Sequence, residues 1–133
     1  LEEKGRETLP AVSSYKLPGQ VKELLRDLED MEWRISLIPP QGGRVRSGRV
    51  YFEEGKFFSR ELSLENYSSS EYSLLIENDN KIVWESEQIS GDASAYWRGE
   101  IKKGEMEGFL RIKSPGAKEQ DFSFVSVGSR KRR

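Results

Sequence analysis

Residues 94–113 alternate between apolar and polar side chains in two consecutive runs joined at Lys103-Gly104. Ala95, Trp97, Gly99 and Ile101 share one face of the first run, and Met106, Gly108, Leu110 and Ile112 share one face of the second. A period of two marks a strand with one buried and one solvated face. A two-residue junction ending in glycine is a hairpin signal. Such a ribbon has to bury its apolar face against further strands, and the same pattern recurs along most of the chain.

Six more strands are expected. The first, over 31–38, carries Trp33, Ile35 and Leu37 on one face and stops at Pro39-Pro40. The second, over 46–54, turns Gly48, Val50 and Phe52 inward. After the Glu54-Gly55 turn, a third over 56–64 places Phe58, Arg60, Leu62 and Leu64 on the inner face. The run 71–78 offers Tyr72, Leu74 and Ile76, and 81–88 offers Ile82, Trp84 and Ser86. The last, over 120–127, presents Phe122, Phe124 and Ser126. Short strands at even spacing with tight turns predict an antiparallel meander. Eight strands in an open meander would leave two bare edges, which closure removes. The expected fold is therefore all-β: an eight-stranded antiparallel up-and-down β-barrel with one short N-terminal amphipathic helix.

That helix is expected over residues 19–30, where Val21, Leu24, Leu25 and Leu28 follow the spacing of one helical face behind Pro18. About three turns are marginal in isolation, so the leucines must pack on the sheet or on a protein partner. Residues 1–17 are expected to be a flexible leader, 18–128 one domain, and 129–133 a frayed basic tail. Because the sequence opens on Leu1 rather than Met, a fragment or processed form is expected.

The pattern resembles calycin-type small β-barrels, meaning lipocalin-like and streptavidin-like domains and especially the bacterial lipocalin-like ones. The resemblance rests on Trp33, Trp97-Xaa-Gly99-Xaa-Ile101 with Lys103-Gly104, Met106-Xaa-Gly108-Xaa-Leu110, and Phe122-Xaa-Phe124, over roughly residues 31–128. It implies a helix capping one barrel end, a pocket opening at the other, and a bacterial periplasm or envelope setting. Met31 departs from the pattern, because lipocalins typically have glycine two residues before the first-strand tryptophan. Biotin-binding residues of the streptavidin type have no counterpart here.

Composition narrows the chemistry. The chain has no cysteine and no histidine, which rules out disulfides, thiol catalysis, Cys/His zinc sites and histidine-based triads. A formal net charge of −1 gives no bulk attraction to nucleic acid, so no nucleic-acid partner is expected. No apolar run approaches the ~20 residues that span a bilayer as a helix. The carboxylates do not converge as a general acid–base pair. No cofactor, no metal and no enzymatic activity are expected.

The candidate lining of a barrel pocket is Trp33, Phe52, Phe58, Arg60, Tyr72, Trp84, Trp97, Phe122 and Phe124. These rings either line a site for a small hydrophobic ligand or fill the interior as core, since each aromatic buries ~150–250 Å². An inward Arg60 needs a partner, because burying it alone is costly. An internal salt bridge, a bound carboxylate, or a bulge that turns it outward would meet that need. Arg44, Arg46 and Arg49 in a glycine-rich stretch form a candidate anion site, since guanidinium forks suit phosphate and carboxylate. Two functions follow: a non-enzymatic module binding a small apolar ligand, or a structural or protein-interaction domain working through helix 19–30 or the barrel rim; a third class is anion binding through the Arg44 cluster and the tail Arg130-Lys131-Arg132-Arg133, which could meet phosphates or anionic lipid.

Overall fold

The computed structural model describes residues 28–77 and 81–132. Eight strands follow one another: β1 (Met31–Ile38), β2 (Arg46–Glu53), β3 (Lys56–Ser59), β4 (Ser70–Glu77), β5 (Lys81–Ser90), β6 (Ala93–Lys102), β7 (Glu105–Lys113) and β8 (Gln120–Lys131). Each pairs antiparallel with its sequence neighbour, and β8 pairs with β1, closing an up-and-down barrel. A single helical turn, Arg60–Ser63, separates β3 from β4. Of the expected helix, residues 28–30 are described and are helical; the rest of it and the leader lie outside the described residues. Among the described residues no helix is long and apolar enough to cross a membrane.

Turn chemistry sets the registers. Glu54 and Gly55 both take positive φ, 52° and 80°, and so do Lys103 and Gly104, at 54° and 77°. Such turns carry the right-handed twist of the flanking strands and pair the residues on either side of them directly. Glu53 therefore faces Lys56, and Lys102 faces Glu105. From these anchors the alternation carries Phe52, Phe57, Trp97 and Leu110 to the interior, all at most 2% exposed.

Strand β3 departs from the expected alternation. Phe57 faces inward, and Phe58 lies outside, stacked on Tyr51 with centroids 4.7 Å apart. With two adjacent phenylalanines both faces are apolar, so alternation alone cannot choose between them. The two-residue turn can, because it sets Phe57 opposite the inward Phe52. The strand also ends early. The Ser59 hydroxyl accepts a hydrogen bond from the Leu62 N–H at 3.3 Å and caps the helical turn. Leu62 is buried, Leu64 is 79% exposed, and Arg60 is swung out to solvent.

The C-terminal strand also departs from expectation. β8 runs on to Lys131 rather than stopping at Val127. Arg34 pairs with Gly128 but Ile35 with Ser126, so Val127 is an extra residue, a bulge. The bulge shifts the alternation by one and hides the continuation of the strand from a period-two reading. Residues 129–131 are thus strand. Arg130 pairs with Glu32 at 3.0 Å, and the Arg132 N–H donates to the Asp30 carbonyl at 2.8 Å.

Candidate functional site

Seven of the nine expected lining residues do face the interior: Trp33, Phe52, Tyr72, Trp84, Trp97, Phe122 and Phe124 are all buried. Phe58 and Arg60 do not join them. With Phe57 added, the rings touch one another across the barrel. Phe52 packs edge-on against Tyr72 at 4.9 Å and against Trp84 at 5.0 Å. Phe57 bridges Trp84 at 4.8 Å and Trp97 at 5.1 Å, and Phe124 meets Trp97 at 5.5 Å. Contacts of this length are ring against ring, with nothing between.

Small residues make room for these rings. Gly99 on β6 pairs with Gly108 on β7. A methyl group on Gly99 would lie 2.6 Å from the Trp84 indole, which therefore lies directly over that glycine. One on Gly108 would lie 2.0 Å from the Arg98 carbonyl oxygen. The small inward positions accommodate neighbouring rings and backbone rather than opening a void.

Polar atoms tie the two ends of the barrel. At one, the Trp97 Nε1–H donates to Gln88 Oε1 at 2.9 Å, and Gln88 Nε2 donates to the Ser68 carbonyl, also at 2.9 Å. A core tryptophan is thereby fastened to the loop that follows the helical turn. At the other, the Glu29 carboxylate accepts from the Tyr72 hydroxyl at 2.6 Å and from the Gly55 N–H at 3.1 Å. Burial first, then the hydrogen bond to Glu29 and its negative charge, push the Tyr72 phenol far above its ordinary range. The indole N–H groups of Trp33 and Trp84 are buried without a partner among the described residues.

The expected anion site does not assemble as one cluster. Arg44 is exposed in the loop before β2. Arg46 opens β2 opposite Leu37 and lies 3.9 Å from Glu65. Arg49 points the other way, to the outside, where its guanidinium lies 3.8 Å from Glu32. Its backbone N–H donates to Glu61 Oε1 at 2.9 Å, a bond that stands in where β3 has already ended.

On this outer face the barrel collects arginines from three strands. Arg49, Arg34 and Gly128 lie abreast on β2, β1 and β8, and Tyr51, Glu32 and Arg130 form the next row. Beyond them the Arg132 guanidinium sits 4.3 Å above the Tyr51 ring and 3.1 Å from Glu53. The sequence reading assigned Arg34 no role and placed Arg130 and Arg132 in the basic tail, apart from Arg49, because these residues are far apart in the chain. Only closure of β1 on β8 makes them neighbours. Comparison with protein-family models, with curated proteins and with solved structures finds no match to this chain.

Proposed function

We propose that this protein is a non-enzymatic structural or protein-interaction domain that works from its outside, through the rim at residues 28–30 or the sheet exterior. One observation carries the reading: six rings, Phe52, Phe57, Tyr72, Trp84, Trp97 and Phe124, are at most 2% exposed and touch one another through the barrel centre. A ligand would have to displace them, losing packing close to crystal density. The eight-stranded up-and-down order, with Trp33 in β1 and the glycine pair of β6 and β7, supports a calycin-like origin for the barrel. Holding no interior ligand would then be a departure from that pattern.

The competing reading, a small apolar ligand inside the barrel, draws on the two buried indole N–H groups of Trp33 and Trp84, which have no partner among the described residues. A panel of fatty acids, haem and apolar dyes, followed by tryptophan fluorescence, separates the two. The filled interior predicts no saturable change in emission. Saturable quenching by any member, abolished by Gly99→Ala, supports the ligand reading instead.

A further inference from the structure

We propose that the outer face of β8, β1 and β2 holds a binding site for a phosphomonoester dianion, centred on Arg34. A depression of about 280 Å³ there is lined by Glu32, Arg34, Arg49, Ser129 and Arg130. Arg34 and Arg49 are direct cross-strand partners, so their Cβ atoms lie about 5 Å apart. Like charges on directly opposed positions are destabilising, and here the Arg34 head turns toward Gly128 on β8 while Arg49 reaches toward Glu32, which opens a space between them for an anion.

Glu32 offsets part of that repulsion. It reaches Arg130 at 3.0 Å and Arg49 at 3.8 Å, and Arg34 has no carboxylate partner among the described residues. Three guanidiniums against one carboxylate leave an excess of two positive charges in the depression. A phosphomonoester carries roughly −1.5 to −2 near pH 7, which matches that excess; a diester or a carboxylate, with a single charge, does not. Guanidinium forks also fit the tetrahedral oxygens two at a time.

Gly128 positions the central fork. A methyl group there would lie 2.6 Å from Arg34 Nη2, so the guanidinium rests directly on the glycine. Any side chain at 128 would lift it away. The site is assembled by the same strand closure that completes the barrel, and it does not depend on what the interior holds.

The test is titration calorimetry of the folded protein with inorganic phosphate, then flotation with vesicles carrying phosphatidic acid or phosphatidylglycerol. We expect saturable phosphate binding that weakens about tenfold in Arg34→Gln and in Arg49→Gln, the loss of one charge-assisted hydrogen bond. Gly128→Ala, which keeps every charge, should weaken it severalfold, whereas Arg111→Gln on a distant strand should not change it. Vesicle binding that favours phosphatidic acid, with the same variant pattern, would identify a lipid headgroup as the source of the phosphate. Binding of free phosphate alone would identify a soluble one. Absence of phosphate binding, or binding indifferent to Arg34→Gln and Gly128→Ala, would overturn the proposal.

Discussion

Gly108 has no room for a single methyl group, because the Arg98 carbonyl oxygen lies 2.0 Å from where its Cβ would stand. The obstacle is backbone and cannot rotate aside. Gly108→Ala should therefore lower the unfolding free energy by about 1–3 kcal/mol or more, read from urea denaturation. Gly128→Ala meets only the far end of the Arg34 side chain and should leave stability nearly unchanged. Equal effects would mean that β6 and β7 are not pressed together as described. Tyr72 gives a pH signature. Folded Tyr72 keeps its proton where the unfolded phenol has lost it, because burial and Glu29 raise its pKa. The native state thus binds more protons above about pH 10, so stability is intact below that value and falls as pH rises beyond it. Tyr72→Phe should cost about 1–3 kcal/mol at neutral pH and flatten the alkaline decline. Tyr96, raised by burial and its bond to Glu85, leaves a residual slope.

Among the strands, β3 is the weak link. It is four residues long and pairs with β4 only through Lys56–Glu71 and Phe57–Ser70. The segment after it takes over part of the closure: Leu62 and Tyr67 are buried, and the Ser68 N–H bonds to the Ile89 carbonyl at 3.1 Å. Hydrogen exchange should therefore begin at β3 and the start of β4, well before β5, β6 and β7, which pair over nine or more residues. Uniform protection around the barrel would contradict this.

The same elements mark what a sequence can and cannot convey. β1 and β7 were legible to the residue because proline or a Lys-Gly turn brackets clean alternation. β3 was misread because Phe57-Phe58 satisfies either face, although the two-residue turn before it contained the answer. The end of β8 was missed because the Val127 bulge breaks the period. Of the site, every expected inward ring was legible from alternation except the one on β3, where Phe57 took the place expected of Phe58. The arginine face was not, since it exists only once residues about a hundred positions apart are zipped together.

At the scale of the molecule, the barrel separates an aromatic interior from a charged exterior, and its two chain-distant ends are joined by arginines. Arg132 reaches Glu53, the Tyr51 ring and the Asp30 carbonyl at once. Arg132→Ala should lower thermal stability by a few degrees, since a cation–π contact is worth at least about 0.5–1 kcal/mol and the Arg132 side chain is half-buried. An unchanged melting temperature would mean that the Arg132 side chain contributes nothing to closure. Closure of the barrel around its own rings underlies every one of these properties. An aromatic NOESY spectrum of the protein in solution tests this most directly. Cross-peaks from the Phe57 ring to both Trp84 and Trp97, with Phe58 connected to Tyr51 instead, are the predicted result. Connection of Phe58 to the tryptophans, or the absence of ring-to-ring contacts through the centre, would contradict it.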